Sequence, residues 1–552
     1  MAKLFVIAIG GTGMRCLESF VHLCAFGMFD NHEVDILTLD TDQSNGNKGR
    51  VEELIDIYNK VKSNDDTKID GGTINRDTFF SAKLNLYKFY TNYGDQSRKS
   101  FKVLSHTSNN DTKVENKDVS DLFYDEASVQ EFDLAHGYRA QTHLGSMLMY
   151  HGIIEAARNA KQKGDNAEEQ DRNLKKFLEK LQEAQSDARV FVFGSVFGGT
   201  GASSIPVIPV ALRDAAEILT DGHTLDLTNV KFGATLLTNY FSFNSPNAQY
   251  KQSQKVVADS NNFALNSQAA MQFYQADPTV RSTYKRFYHI GWPMPKLDVG
   301  SKGDTITGGQ EQKNACHVVE LMCACAAYDF FTIDDAELSR PDAEYFYRSI
   351  GDEDGVLTFH GNDFVTNGQL FENKLGAFFT FAHMVLSQSQ AAWMDNDVVG
   401  AGVHAFVELF KKQNIHDYDS ITVTQCAPIN DYLRLFAYKF TKEHSMIKGW
   451  MYQIYDSVKP GRFLFSETAF EERYDQMKNI SCGQIFIDPS HNWSKLSGIF
   501  GKEDNSVDEL GKILTDEKSK PRVSDQLLTT TKEKFLAHIY NAITIKQKFL
   551  LN

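Results

Sequence analysis

The sequence predicts an α/β fold built on a Rossmann-like parallel sheet, and three observations carry that prediction. Leu4-Phe5-Val6-Ile7-Ala8-Ile9 and Arg189-Val190-Phe191-Val192-Phe193 are short, nearly continuous apolar runs, as strands buried on both faces require. Each run ends in a glycine cluster, Gly10-Gly11-Thr12-Gly13 in the first case and Gly194 to Gly201 in the second. Each cluster opens a helical segment; after the first, Leu17, Phe20, Val21 and Cys24 recur at helical spacing. A strand, turn, helix and strand of this length makes a right-handed crossover onto a parallel sheet.

The remaining elements follow in order. Val34 to Leu39 is a second strand, closing on Asp40-Thr41-Asp42-Gln43. Residues 46–130 are polar and weakly patterned, and read as helices and loops inserted on the rim. Residues 141–161 place Leu144, Met147, Leu148 and Ile154 along one side of a helix. Residues 161–188 are highly charged around Leu174, Phe177 and Leu181, which reads as an inserted, solvated helix. A helix over 205–219 and strands over 230–238 and 287–292 follow. Residues 312–331 are apolar nearly all round and predict a buried central helix that ends a first domain, 1–311. The region 332–552 reads as a mainly helical C-terminal domain, with helices near 371–387, 400–412 and 431–455 and a terminal helix over 526–551.

Composition narrows the function. The 57 basic and 72 acidic residues leave a formal charge of −15, which argues against a surface devoted to nucleic acid. The 12% aromatic content argues against extended disorder. Seven scattered cysteines, no apolar run long enough to span a membrane and no secretory pattern at Met1 to Gly13 predict a cytoplasmic protein without a transmembrane segment. Cys316, Cys323 and Cys325 share one helix but point in different directions, so they read as core thiols, and no metal-ligand motif is present. Phe535, Leu536, Ile539, Ile543 and Phe549 form a stripe ending near Lys546 and Lys548. That stripe suits docking on this chain, on a partner or on a membrane surface.

The glycine clusters answer where an acidic protein holds an anion. The first N–H groups of a helix lack internal partners, and the helix dipole adds partial positive charge there. Glycines remove the Cβ atoms that would keep a phosphate from those amides. Thr12, Thr200 and Ser203 can add hydroxyl donors. Neither cluster carries the Lys of a Walker loop. A dinucleotide fingerprint fails at its third position, Cys16, although Asp40 suits a ribose.

Gly198-Gly199-Thr200-Gly201-Ala202-Ser203 resembles the tubulin and FtsZ signature G-G-G-T-G-[ST]-G, with Phe197 in place of the first glycine and Ala202-Ser203 in place of the end. Gly10 to Gly13 resembles the first FtsZ loop, with Met14 where FtsZ carries Asn, and Thr41-Asp42-Gln43 resembles the second. Gly137-Tyr138-Arg139-Ala140-Gln141 with Leu144-Gly145 is similar to the third loop of divergent prokaryotic tubulin-like proteins. Gly308-Gly309-Gln310 with Asn314, His317 and Glu320 is similar to the start of their central helix. The resemblance covers about residues 1–45, 136–240 and 308–331. It implies a GTPase domain of tubulin/FtsZ type that binds GTP or GDP, with Mg2+. Gly10, Gly11, Thr12 and Gly13 and the run Gly198, Gly199, Thr200, Gly201, Ala202 and Ser203 would then hold phosphates. Asp40, Thr41, Asp42, Arg139 and Ala140 would approach phosphate, metal or ribose, and Asn314 would bond the guanine.

The resemblance also implies head-to-tail self-association, with hydrolysis completed by acidic residues of a neighbouring subunit. The nearest spacing to the FtsZ element N-x-D-x-x-D is Asn367, Gln369 and Glu372, which makes Glu372 the candidate catalytic acid. Two alternatives stand beside a filament-forming GTPase. One is a non-polymerising GTP-binding switch or scaffold of a bacterial defence or plasmid-type system, whose C-terminal region binds a protein partner. The other is a dinucleotide-dependent enzyme.

Overall fold

The computed structural model describes residues 2–63, 71–91, 142–220, 229–243, 258–292, 309–348, 355–388, 401–437, 448–465 and 528–551, with isolated positions between them. Seven strands form one parallel sheet: β1 Lys3–Ile9, β2 Glu33–Asp40, β3 Lys83–Tyr90, β4 Ala188–Phe193, β5 Lys231–Leu237, β6 Tyr284–Ile290 and β7 Glu344–Arg348. Their order is β3-β2-β1-β4-β5-β6-β7. The molecule is therefore an α/β protein of Rossmann-like type. The chain runs outward from β1 to β3, returns to the middle, and then runs the other way from β4 to β7. The reversal falls between β1 and β4, which pair in register from Lys3 opposite Ala188 to Ala8 opposite Phe193.

Residues of β1 alternate between two apolar cores. Leu4, Val6 and Ala8 join one core, and Phe5, Ile7 and Ile9 join the other. The first core holds α1 Gly10–Ala25 and α2 Gly46–Lys62. The second holds α3 Thr142–Lys163, α4 Glu169–Ala184, the short α5 Gly199–Ser204, α6 Ile208–Leu219 and the inner side of α7 Phe263–Ala276. Helix α8, Val318–Thr332, is buried against α1 on the first face.

Residues 46–90 differ from the rim insertion expected of them. Behind its polar sequence, α2 buries Val51, Leu54, Ile55, Tyr58 and Val61 against α1. Strand β3 pairs with β2 along its whole length and closes one sheet edge. The charged segment before β4 is likewise part of the sandwich. Phe177 of α4 meets Phe5 and Tyr87 at 5.7 Å each, so only its outer face is solvated. The central helix starts at Val318, six residues later than expected, because residues 312–317 are not helical and His317 caps the helix.

The described helices after residue 332 share one continuous apolar cluster with α1, α2 and α8. The longer of them are α9 Gly368–Gln388, α10 Ala401–Lys412, α11 Val423–Ala437, α12 Trp450–Val458 and α13 Thr531–Leu551. Tyr432 reaches His22 Nδ1 at 2.9 Å, and Trp450 Nε1 donates to Ser19 Oγ at 3.1 Å. The terminal stripe docks on this chain: Phe535, Leu536, Ile539 and Ile543 are buried, and Phe410 meets Phe535 at 5.5 Å. Lys546, Lys548 and Phe549 lie outside the described side chains. Among the described residues no helix is long and apolar enough to cross a membrane.

Candidate functional site at the strand switch point

In open parallel sheets the crevice outside the carboxyl ends of the strands, where strand order reverses, is the usual ligand site. Here that point receives both glycine turns. Gly10 follows β1 with φ of +65°, a conformation that glycine adopts freely. A Cβ on Gly10 would come within 3.1 Å of Thr200 Cβ, so the two turns touch. Helices α1 and α5 begin at these turns, and neither carries a side-chain cap on its first amides. Two uncapped helix starts thus lie side by side, each with partial positive charge. Close backbone packing explains other glycines in the motifs. A Cβ on Gly13 would lie 2.5 Å from the Phe193 carbonyl oxygen, and one on Gly201 would lie 2.6 Å from that of Ser195.

The third and second loops adjoin the turns. Gly145, at the start of α3, leaves room for Ser203, and Ser146 Oγ donates to the Ser203 carbonyl at 2.8 Å. Arg139 and Ala140 lie outside the described residues. At the tip of β2, Asp40 accepts the Thr41 and Asp42 amides through Oδ1 at 2.7 and 3.3 Å. Its other oxygen, Oδ2, is buried without a partner among the described residues, as is Thr41 Oγ1. Burial and the neighbouring Asp42 push the Asp40 carboxyl up to about 7, against the pull of the amides and Lys48. Asp42 instead ties β2 to the approach to α8, accepting the Gly309 amide at 2.6 Å.

Asn314 reaches the same place through contacts that the motifs do not reveal. Asn45 Nδ2 donates to Gln312 Oε1 at 2.8 Å, and Asn47 Nδ2 donates to Asn314 Oδ1 at 3.2 Å. Three of these amides lie over Gly11: a Cβ there would sit 3.4 Å from Asn45 Nδ2 and Asn47 Nδ2 and 3.5 Å from Gln312 Oε1. The backbone of 314–316 is held from three helices. Arg50 of α2 donates to the Asn314 carbonyl at 2.8 Å, Arg15 of α1 to that of Ala315 at 2.7 Å, and Cys316 N–H donates to Gln453 of α12 at 2.6 Å. Behind this clamp Arg15 pairs with Glu320 at 2.5 Å, and the Tyr240 hydroxyl bonds the same carboxylate. Burial raises the Glu320 carboxyl against the opposing pull of Arg15.

Phe197, where the tubulin signature has glycine, packs on Phe263 at 4.9 Å and on Phe241 at 5.4 Å. The turn is thereby anchored by an aromatic cluster. Phe273 of α7 is more than half exposed. The cysteines of the central helix, Cys323 and Cys325, are buried, as is Cys316 before it. Among the described residues no group of three or more His, Cys, Asp or Glu side chains is arranged to hold a metal ion.

Glu372 lies elsewhere. It sits in the first turns of α9 and accepts the Gly361 amide at 2.7 Å. Its neighbour Phe371 packs on Phe26, just past the end of α1. Helix α1 has 16 residues, about 24 Å of rise, so Glu372 is at the opposite end of that helix from the glycine turns.

Fold and site together define a Rossmann-like α/β protein whose candidate ligand crevice lies at the β1/β4 switch point. No family model matches the chain, and neither a curated protein nor a solved structure matches it.

Proposed function

We propose that this chain is a guanine-nucleotide-binding protein of tubulin/FtsZ type, a GTPase that assembles head to tail. One observation carries the reading. Two uncapped, glycine-led helix starts meet at the switch point, with the amides of Asn45, Asn47 and Gln312 beside Gly11 and that of Asn314 bonded to Asn47. Backbone amides and helix dipoles suit phosphates, and side-chain amides suit a base edge. Mg2+ would depend mainly on phosphate oxygens and water, with Asp40 Oδ2 as the open carboxylate oxygen at hand. The placement of Glu372 at the far end of α1 suits a residue that serves the nucleotide of the next subunit.

A dinucleotide-dependent enzyme is the second reading. Asp40 favours it, because an acidic residue at the tip of β2 with one unpartnered oxygen also suits a ribose. Calorimetric titration of the nucleotide-free chain separates the two. Saturable binding of GTP with little response to NAD(P) is expected; binding of NAD(P) in preference to GTP overturns the guanine reading. Light scattering that does not respond to GTP at high protein concentration would leave a non-polymerising switch or scaffold.

A further inference from the structure

We propose that Asn45 and Asn47 are positioning residues that turn the amides of Gln312 and Asn314 so that both present N–H donors to the crevice, which selects a 6-oxopurine over adenine. The inference rests on the nucleotide reading above and deepens it.

The orientation of each amide follows from backbone groups whose polarity is fixed. Asn47 faces the backbone N–H of Asn314 at 3.2 Å, and a backbone N–H can only donate. The Asn47 atom there must be Oδ1, so its Nδ2 points the other way and donates to Asn314 Oδ1. Asn45 caps α2 in the same manner: its Oδ1 accepts the N–H groups of Asn47 and Lys48 at 2.9 and 3.3 Å. Its Nδ2 therefore donates to Gln312 Oε1. Each rung of this ladder occupies the oxygen of the outer amide and leaves the nitrogen over. Gln312 Nε2 and Asn314 Nδ2 have no partner among the described residues, both residues are partly exposed, and the Gln312 amide lies beside Gly11.

A pair of NH2 groups wants acceptors. Guanine and hypoxanthine offer O6 and N7, whereas adenine replaces O6 with an amino donor. Donor facing donor leaves both groups unpaired and costs affinity. Neither Asn45 nor Asn47 need touch the ligand for this selection to operate.

The test is calorimetric titration of the nucleotide-free full chain, and of the variants Asn45→Asp and Asn47→Asp, with GTP, ITP and ATP. For the unmodified chain GTP and ITP should bind alike, with ATP roughly tenfold or more weaker. An aspartate keeps an oxygen against the backbone N–H but has no amine for the outer amide. Gln312 or Asn314 then turns its nitrogen inward and its oxygen to the crevice. The GTP-to-ATP affinity ratio should fall toward one in each variant, even if the added charge weakens all three nucleotides. Asn45→Asp retains an equally good helix cap, so it decides the matter if Asn47→Asp fails to fold. Folded variants that keep the original ratio, or an unmodified chain that binds ATP as well as GTP, overturn the proposal while leaving nucleotide binding intact. A chain that binds none of the three overturns the nucleotide reading itself, and this proposal with it.

Discussion

Gly11 and Gly13 stand two residues apart, yet Cβ atoms added to them would have opposite consequences. A Cβ on Gly13 meets backbone at 2.5 Å, where nothing can rotate away. Gly13→Ala should therefore cost about 1–3 kcal/mol or more, seen as a fall in melting temperature. A Cβ on Gly11 meets ordinary contacts of 3.4–3.5 Å and projects toward the amide ladder. Gly11→Ala should melt within a few degrees of the unmodified chain but bind nucleotide more weakly. Equal losses of stability in the two variants would contradict this division. His317 supplies a pH prediction. Burial, with Arg15 nearby, lowers its pKa to about 3, and its neutral Nδ1 accepts the Val319 amide that starts α8. Between about pH 3 and 6.5 the unfolded chain takes up a proton that the folded one refuses, so stability is lost as pH falls through that window. His317→Asn keeps a capping oxygen and does not titrate. It should flatten the stability–pH slope between pH 4 and 6 by up to about 1.4 kcal/mol per unit; an unchanged slope would count against it. His22, also lowered to about 3 by burial, keeps a residual slope in the same direction. The glycines, Asp40 to Asp42 and Asn314 were legible in the sequence because each stands in a short motif beside a strand end or helix start. Asn45, Asn47, Arg15 and Arg50 were not, because their partners lie 264 to 300 residues away.

Between elements, α1 and α8 meet in a buried contact that holds an ion pair. Arg15 and Glu320 are both buried and share Tyr240, and Arg15 also lies over the Tyr240 ring at 5.5 Å. Removing one partner leaves a charge in the core without compensation. Arg15→Ala should cost about 3–5 kcal/mol, and the double variant Arg15→Met with Glu320→Leu should recover most of it. Denaturant unfolding of the three proteins reads this directly, and no recovery in the double variant contradicts it. Helix α13 is tied down in a similar way. Glu533 accepts from Thr73 Oγ1 at 3.0 Å and from Asn75 Nδ2 at 3.1 Å, and Tyr540 packs on Phe79 at 5.1 Å. Deletion from residue 528 onward should expose Phe79 and Phe410 and raise binding of a hydrophobic dye; an unchanged signal would mean the helix is dispensable. Sequence patterning foretold the two-face-buried strands and the central helix well, since their apolar runs are continuous. It missed β3 because an edge strand with the sequence KLNLYKFY is only half buried. It placed α2 on the rim because its apolar residues are diluted among Lys, Asn and Glu.

At the scale of the whole molecule, the glycine turns and Glu372 lie at opposite ends of α1, so no single chain brings them together. A head-to-tail assembly would, and it predicts complementation. Glu372→Ala should bind GTP normally but turn it over slowly, and a small admixture of a Gly11→Ala chain, which supplies Glu372, should restore turnover. Loss of GTP binding in Glu372→Ala would mean that the residue acts through the fold instead. The glycine turns and Glu372 stand apart in the sequence, and their separation in space is a property of the packed helix between them. The expectations for Gly11, Glu372 and the amide ladder presuppose the ligand, so the most direct test of the account is titration calorimetry of the nucleotide-free full chain with GTP. The account predicts saturable binding near one GTP per chain, with NAD(P) and ATP clearly weaker. Absence of GTP binding, or a preference for NAD(P), would contradict it.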